Sequence, residues 1–224
     1  MNQLKRILLL AGTTFLLSFN PAGKQKVIFF GDSITQAGVQ PGGYITLMND
    51  ILRKAGREND FELVGAGIGG NKVYDLYLRI EQDVLAANPQ VVVIYIGVND
   101  VWHKSSHGTG TDPDKFERFY TAIINKLTER KIRVILATPA VIGERTDFSN
   151  SQDGDLNQYS NIIRRLAATN KLALVDLRKA FLDYNLSANK DNRESGILTT
   201  DRVHLNEKGN QLVAEKMWAV IQQP

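Results

Sequence analysis

A serine in this 224-residue chain stands where a nucleophile would be well placed. Four consecutive apolar residues, Val27 to Phe30, are typical of a strand that is buried on both faces. Gly31 interrupts this run, and Ser33 follows in the turn before a helical pattern. Ligands of parallel α/β sheets bind at the carboxyl ends of the strands, so the Ser33 hydroxyl is a candidate nucleophile. Taken alone, Asp32 and Ser33 are better explained as turn and helix N-cap residues.

A matching base and acid lie near the other end of the chain. Asp201 and His204 are three residues apart, so one short turn can hold both. Histidine has a side-chain pKa near neutrality and can take the proton of a serine, while an aspartate bonded to its second ring nitrogen fixes the tautomer. Taken alone, His204 is better explained as a helix-entry residue, because Asn206 and Glu207 also suit that position.

Ser33 can meet Asp201 and His204 only in a fold that brings distant segments of the chain together. The hydrophobic pattern predicts such a fold. Five short apolar runs alternate with amphipathic helical patterns. The alternation predicts an α/β fold, a three-layer α/β/α sandwich around a five-stranded parallel sheet with right-handed crossovers. A short helix is expected around Phe181 and Leu186. The predicted strands are residues 27–30, 61–64, 91–96, 133–138 and 172–177, with polar loops at 101–112, 142–154 and 187–200.

Two more candidate residues follow the second and third predicted strands. Gly70 ends a glycine-rich loop after the second strand, and Asn99 lies in the turn after the third. Because the carboxyl ends of parallel strands share one edge, both should lie near Ser33. Glycines at 65, 67 and 70 also match the spacing of a dinucleotide-binding loop, but no downstream ribose-binding acid supports that alternative. As isolated residues, Gly70 and Asn99 are ordinary turn residues.

The N-terminal segment, the net charge and the absence of cysteine limit the binding partners and the cellular compartment that we expect. Residues 1–22 look like a secretory signal peptide, with Lys5 and Arg6 before a short apolar segment, and residues 23–224 then form one domain. An uncleaved anchor is the alternative, since no clean cleavage site is visible. Without residues 1–22 the charge falls from +3 to +1, which gives no electrostatic case for nucleic acid or for an anionic membrane. Because the sequence contains no cysteine, the exported protein would have no disulfides, no metal thiolates and no lipid-modified cysteine, and a cysteine nucleophile is excluded.

Four segments, taken in order, resemble the four sequence blocks of the SGNH hydrolases, also called the GDSL lipase/esterase family. The segments are Gly31–Ile34, Gly69–Asn71, Gly97–Asp100 and Asp201–His204. The resemblance runs from about Val27 to the C-terminus, and four ordered blocks are far more specific than any one of them. Two departures are visible: Ile34 replaces a leucine, and Asn71 stands where many members carry an aspartate.

The resemblance implies a flavodoxin-like SGNH hydrolase fold and a set of roles that the residue chemistry supports. Ser33 would be the nucleophile, His204 its general base and Asp201 the partner of the histidine. The backbone N–H groups of Ser33 and Gly70 and the side-chain amide of Asn99 would form the oxyanion hole. No metal or cofactor is implied.

The resemblance leaves the substrate open, because the family includes lipid esterases, thioesterases and carbohydrate acetylesterases. The predicted loops at the active edge are polar, and Trp102 and His103, just after the Asn99 block, are candidate sugar contacts. Residues 196–201 also resemble exported polysaccharide acetylesterases of this family. We therefore expect a serine esterase for short acyl groups, above all acetyl, on a carbohydrate. The alternatives are a lysophospholipase or other lipid esterase, a thioesterase, and a non-catalytic glycan-binding protein.

Four other acidic or histidine positions have structural explanations. His103 and His107 are four residues apart, a spacing found in metal sites, but Gly108 and Gly110 favour a solvated loop. We expect Asp32 to orient its turn and Asp176 to be structural. The expected partner is a small-molecule or glycan ester, with no stable membrane partner after signal cleavage, and the sequence does not indicate an oligomeric state.

Overall fold

The most apolar runs of the chain form the middle of a parallel sheet. In the computed structural model, which describes residues 23–223, Val27–Phe30 and Val91–Ile94 are fully buried between two helical layers. The predicted signal peptide, residues 1–22, lies outside the described residues. The strands are β1 (Gln25–Gly31), β2 (Phe61–Gly67), β3 (Val91–Tyr95), β4 (Arg133–Ala137) and β5 (Ala173–Val175).

Eight α-helices are seen among the described residues, together with a 3₁₀ helix at Leu85–Ala87. They are α1 (Ser33–Gly38), α2 (Tyr44–Lys54), α3 (Val73–Asp83), α4 (Val98–Ser106), α5 (Pro113–Glu129), α6 (Asp153–Thr169), α7 (Leu177–Ala188) and α8 (Glu207–Ile221). Helix α2 packs against α8, whereas α3, α5 and α6 pack against one another in sequence. Among residues 23–223, none of the helices has the length and hydrophobicity that a membrane span needs.

The sheet has the strand order β2-β1-β3-β4-β5, and every neighbouring pair is parallel. This arrangement confirms the predicted three-layer α/β/α fold. The chain runs from β1 outward to β2 and then returns past β1 to β3, so the strand order reverses at β1. The crevice at such a reversal is where open α/β sheets bind ligands, at the carboxyl ends of the strands. Gly31 lies opposite Gly67 on one side and Tyr95 on the other, so these ends are level.

The first half of the predicted loop 101–112 is wrong, because residues 98–106 form helix α4, whereas residues 107–112 form the loop before α5. Gly97, at a φ of 126°, turns the chain sharply after β3 and allows the helix to begin at once. Val98 and Val101 are buried three residues apart, which is helical spacing. Gly108 and Gly110 lie beyond the end of the helix and therefore do not interrupt it. The short helix expected around Phe181 is present as α7 and has 12 residues.

The end of β2 packs tightly against α1, the short helix that begins with Ser33. A Cβ atom placed on Gly67 would lie 2.2 Å from the backbone nitrogen of Gln36 and 2.7 Å from the backbone oxygen of Asp32. Both are backbone atoms, so no side-chain rotation can relieve the overlap. The absence of a side chain at Gly67 therefore sets how closely α1 approaches the sheet.

We expect Gly67→Ala to lower the free energy of unfolding by about 2 kcal/mol, since the added methyl group must push α1 away from β2. Gly154→Ala is the matched control, because this glycine lies on the exposed face of α6 with no heavy atom within 4 Å of the new Cβ. The control should be unchanged or slightly more stable. Urea unfolding of the two variants and the parent chain measures the difference, and equal stabilities for both variants would contradict the packing argument.

Candidate active site

The first turn of α1 holds Ser33 at the carboxyl end of β1. Gly31 is the last residue of the strand, and Asp32 is the N-cap of the helix. The Oδ1 atom of Asp32 accepts a hydrogen bond of 3.0 Å from the N–H of Ile34, which satisfies one of the free donors at the helix start. The Asp32 side chain therefore shapes the turn, while the Ser33 side chain is partly exposed at its surface.

Three sequence-predicted residues form a continuous hydrogen-bonded chain at this edge. The Oγ atom of Ser33 lies 3.0 Å from Nε2 of His204. The other ring nitrogen of His204, Nδ1, lies 2.7 Å from Oδ2 of Asp201. A hydroxyl bonded to an imidazole that is itself bonded to a carboxylate is the arrangement that activates a serine for nucleophilic attack.

Asp201 and His204 share one turn, as their spacing predicts. The second carboxylate oxygen of Asp201, Oδ1, accepts hydrogen bonds from the backbone N–H of Val203 at 3.1 Å and of His204 at 2.8 Å. Partial burial acts to raise the pKa of Asp201, but the hydrogen bonds from the His204 ring and backbone outweigh it and hold this pKa below its usual value. The carboxylate therefore stays ionised at neutral pH and can orient the imidazole.

The loop that carries Gly70, one of the predicted oxyanion residues, lies beside Ser33. A Cβ atom on Gly69 would be 4.0 Å from Cβ of Ser33, so the loop after β2 passes directly next to the hydroxyl. Gly70 has a φ of 77°, a left-handed conformation that suits glycine. The backbone N–H groups of Ser33 and Gly70 donate to no acceptor in the part of the chain that the structure describes. Two free backbone donors therefore stand on this edge.

Asn99, in the first turn of α4, supplies a third donor and also holds the loop after β2. Its side-chain Nδ2 donates a hydrogen bond of 3.1 Å to the backbone oxygen of Asn71. An amide nitrogen carries two hydrogens, so this bond leaves one for a ligand. The bond to Asn71 therefore fixes the Asn99 amide relative to the glycine-rich loop after β2.

Arg79 on α3 is a residue that the sequence analysis missed. Its Nε donates to Oδ1 of Asn71 at 2.7 Å, and its Nη2 donates to the backbone oxygens of Gly31 at 2.8 Å and Ala66 at 3.0 Å. One guanidinium thus joins the ends of β1 and β2 to the loop that carries Gly70. In the sequence, Arg79 is only a charged residue on an amphipathic helix, and no local pattern distinguishes it from a solvent-exposed one.

Trp102 and His103, which the sequence analysis placed on a loop, project from α4 toward this edge. The Trp102 ring meets the His204 ring edge to face, with centroids 6.2 Å apart. The Cε1 atom of His103 would be 3.9 Å from a Cβ atom placed on Gly70. The Trp102 ring therefore lies next to His204, and the neighbouring His103 ring lies next to Gly70. Burial, helped by the charges of Lys72 and His107, lowers the pKa of His103 and favours its neutral ring at pH 7.

The histidine pair that suggested a metal is also near the site. The rings of His103 and His107 lie 4.4 Å apart between centroids, at the end of α4. Within residues 23–223, no group of three or more histidine, aspartate or glutamate side chains is placed to hold a metal ion. Asp176 caps α7 by accepting from the N–H of Lys179, and it pairs with Arg164 at 2.8 Å, in keeping with a structural role.

The fold and the site together define a class of protein. A hydroxyl–imidazole–carboxylate chain beside free backbone donors, at the reversal point of a flavodoxin-like sheet, is the arrangement of a serine-dependent hydrolase. A sequence model described as the GDSL-like lipase/acylhydrolase family matches residues 29–212. The chain belongs to this family.

Two relatives that are esterases by name agree with this family and its chemistry, and a third is an uncharacterized lipoprotein. The crystal structure of an acetyl xylan esterase, AlAXEase, has a TM-score of 0.87 and 65% identity, covering 88% of this chain and 99% of its own. An acetylxylan esterase of Geobacillus stearothermophilus is 29% identical over 208 residues, 85% of this chain and 90% of its own. A lipoprotein of Bacillus subtilis (strain 168) is 26% identical, covering 90% of this chain and 93% of its own. The chain is a carboxylic ester hydrolase.

Crystal structures of three catalytic mutants of an acetylxylan esterase from Geobacillus stearothermophilus also match this fold. In these mutants a histidine, an aspartate or a serine is replaced by alanine, and the TM-scores are 0.78 or 0.79 with 26–27% identity. They cover 90% of this chain. Catalytic residues of the same three types are therefore present in a relative that shares the fold along nearly the whole chain.

Asp100 lies directly behind Asn99 and is fully buried. Its two carboxylate oxygens lie 3.2 and 3.3 Å from the backbone nitrogen of Val73, which donates to them at the start of α3. Burial raises the pKa of Asp100 from 3.8 to about 7, although this hydrogen bond opposes the rise. Asp100 thus links the helix after the glycine loop to the helix that carries Asn99.

This raised pKa makes stability depend on pH. Between about pH 4 and pH 7 the unfolded chain ionises Asp100 while the folded chain keeps it protonated, so the contribution of Asp100 to folding becomes less favourable as the pH rises. Asp100→Asn cannot ionise, and its stability relative to the parent should therefore increase from pH 4 to pH 7, by up to about 4 kcal/mol. Urea unfolding at pH 4, 5, 6, 7 and 8 measures this difference. Asp191→Asn, at an exposed loop position, is the control, and curves for Asp100→Asn that run parallel to the parent would contradict the argument.

Proposed function

We propose that this enzyme removes acetyl groups from a carbohydrate by way of an acyl-enzyme on Ser33. The observation that carries the proposal is the continuous chain of hydrogen bonds from Ser33 through His204 to Asp201. The hydroxyl, imidazole and carboxylate are bonded in the order of a Ser-His-Asp triad, which supports the proposal. Free backbone donors beside the hydroxyl add the means to stabilise a negative oxygen.

In the acylation step, Nε2 of His204 takes the proton of the Ser33 hydroxyl as Oγ attacks the acetyl carbonyl carbon. The carbonyl oxygen becomes negative in the tetrahedral intermediate and accepts hydrogen bonds from the N–H groups of Ser33 and Gly70 and from the Asn99 amide. When the intermediate collapses, the bond to the sugar oxygen breaks and His204 returns its proton to that oxygen. The products are a free sugar hydroxyl and acetyl-Ser33.

The second step restores the enzyme. His204 takes a proton from a water molecule as the water oxygen attacks the acetyl-Ser33 carbonyl, and the same donors hold the oxyanion. Collapse breaks the bond to Oγ of Ser33, which recovers its proton from His204, and acetic acid leaves and ionises to acetate. Asp201 remains ionised throughout and stabilises the imidazolium that forms in each step.

The carbohydrate part of the proposal is supported by the polar, aromatic mouth of the site. The Trp102 indole is partly exposed beside His204, and aromatic rings of this kind present an apolar face with a polar edge. His103, whose lowered pKa favours the neutral ring, can both donate and accept hydrogen bonds with sugar hydroxyls. Two relatives are acetylxylan esterases by name, which makes an acetylated xylan the first substrate to assay.

We also propose that the enzyme acts outside the cytoplasm. Residues 1–22 have the basic start and apolar segment of a secretory signal peptide, and one relative, from Bacillus subtilis, is a lipoprotein by name. The domain that does the chemistry would then be residues 23–224. Cell fractionation and the mass of the exported chain test this part of the proposal.

The role of Ser33 is tested by Ser33→Ala, which removes one partly exposed oxygen. Hydrolysis of p-nitrophenyl acetate should fall by roughly 10⁴-fold or more, while the circular dichroism spectrum and melting temperature stay close to those of the parent. A fluorophosphonate should label the parent once per chain and the variant not at all. Ser187→Ala, at an exposed position on α7, is the control and should keep full activity and labelling. Activity of the Ser33 variant near that of the control would falsify the assignment.

The size of the acyl group separates acetyl esterases from lipid esterases. Each methylene that enters an apolar groove contributes about 0.8 kcal/mol, or roughly fourfold in affinity, so a lipid esterase should show kcat/KM rising steadily from acetyl to octanoyl esters. We expect this enzyme to be fastest with acetyl or propionyl esters and to release acetate from acetylated xylan. A maximum at eight carbons or more, with no acetate from any acetylated glycan, would favour the lipid-esterase alternative.

A further inference from the structure

A buried carboxylate that the proposed chemistry does not use lies beneath the turn of Asp201 and His204. Glu144 follows β4 in a segment without helix or strand, and only 1% of it is exposed. Its Oε1 accepts hydrogen bonds from the backbone N–H groups of Leu198 at 2.6 Å and Thr199 at 3.0 Å, and its Oε2 accepts one from Ile197 at 2.9 Å. Three consecutive backbone donors therefore converge on one side chain.

The three hydrogen bonds stabilise the buried carboxylate of Glu144, and the carboxylate in turn satisfies the backbone donors of the segment 197–199. A buried charge without partners is strongly destabilising, whereas three N–H donors compensate for much of its lost hydration. In turn, Leu198 and Thr199 are fully buried, so their N–H groups would be unpaired without Glu144. The side chain and the segment 197–199 thus hold each other in a single arrangement.

The segment 197–199 lies at the base of the turn that carries Asp201 and His204, which we call the catalytic turn. The backbone oxygen of Leu198 accepts a hydrogen bond of 3.0 Å from the N–H of Asn206, on the far side of the turn. Thr199 forms an isolated antiparallel bridge with Leu205, and the N–H of Thr200 donates to the backbone oxygen of His204 at 2.8 Å. Residues 198–206 therefore form a closed loop whose two ends are joined just above Glu144.

A second contact ties the same loop to the residue before Glu144. The N–H of Gly143 donates a hydrogen bond of 2.9 Å to the backbone oxygen of Arg202, between Asp201 and His204. Arg202 has a φ of 86°, which is strained for a residue other than glycine and persists only where the surroundings hold it. Residues 143 and 144 thus contact the loop 198–206 at its base, through Glu144, and at Arg202, through Gly143.

We infer that Glu144 is a positioning residue, whose carboxylate sets where Asp201 and His204 stand relative to Ser33. The inference rests on the proposed catalytic roles of these three residues. Nε2 of His204 must stay within hydrogen-bond reach of Oγ of Ser33, and a displacement of about 1 Å in such a contact can cost about 10²-fold in rate. The effect belongs to the chemical step, because Glu144 is buried and has no access to substrate.

Glu144→Gln is the most conservative test, because the side chains have nearly the same size. A glutamine oxygen can still accept from two of the three N–H groups, but its NH₂ group meets the third N–H with no acceptor between them. We expect kcat for p-nitrophenyl acetate to fall about 10- to 100-fold with KM changed less than about twofold. The second-order rate of Ser33 labelling by a fluorophosphonate should fall in parallel.

Glu194→Gln is the matched control. Glu194 is a half-exposed carboxylate in the same region, and it pairs with the Arg202 and Arg145 side chains at 2.9 and 3.5 Å rather than with backbone donors. Its removal should change kcat less than about twofold, because exposed ion pairs contribute little. An equal loss in both variants would overturn the inference, since the effect would then come from negative charge in the region and not from the bonds of Glu144.

Hydrogen–deuterium exchange separates positioning from a general loss of stability. In Glu144→Gln, peptides that cover residues 197–206 should exchange faster while the strands β1 and β3 keep the parent rates. Unchanged kcat per folded molecule, or unchanged exchange of 197–206 despite a lower kcat, would remove the positioning role. If Glu144→Gln does not fold, Glu144→Asp is measured in the same way, and failure of both variants to fold overturns a role confined to the catalytic turn.

These outcomes are distinct from those that test the proposed function. Retained activity in Ser33→Ala would remove the catalytic assignment itself, whatever Glu144 does. An enzyme that prefers a substrate other than an acetylated glycan would still report the effect of Glu144 through p-nitrophenyl acetate and fluorophosphonate labelling.

Discussion

The hydrogen bond between Ser33 and His204 joins residues that are 171 positions apart in the chain. This contact persists only if the backbone segments that carry the two side chains are held rigidly, because one hydrogen bond is too weak to bring two loops together. On one side, the close approach of α1 to Gly67 and the cap by Asp32 fix the serine. On the other, Glu144 and the closed loop above it hold the histidine. The site depends on these two supports more than on any contact within it.

Buried carboxylates recur next to the proposed catalytic groups. Asp32 and Asp100 are 1% and 0% exposed, and burial raises the pKa of each to about 7. Their desolvation costs stability at neutral pH, so their contribution is to organise the backbone: Asp32 accepts from the N–H of Ile34 and Asp100 from that of Val73. Local losses of stability of this kind are common at functional sites, where the required geometry takes precedence over stability.

Local sequence was sufficient for the architecture and for the candidate residues. The five apolar runs predicted all five strands. The reason is clearest for β1 and β3, because central strands buried on both faces are apolar, whereas the edge strands β2 and β5 are only partly buried. The same reasoning failed for residues 101–106, where polar side chains around Trp102 hid a helix whose buried face is narrow. Two buried valines at helical spacing were the available signal. The supporting residues Arg79 and Glu144 carried no signal, since most of their partners are backbone atoms of other segments that the sequence does not place next to them.

By itself, the sequence determined which groups are available for chemistry and the order of strands and helices that carries them. The D-x-x-H spacing even determined one contact of the site, since Asp201 and His204 meet within a single turn. Only the tertiary structure decided which groups meet across the sheet edge: Ser33 with His204, Asn99 with the glycine loop, and Glu144 with the base of the catalytic turn. The physical reason is that local propensity acts over a few residues, whereas these contacts arise when parallel strands bring their carboxyl ends to one edge.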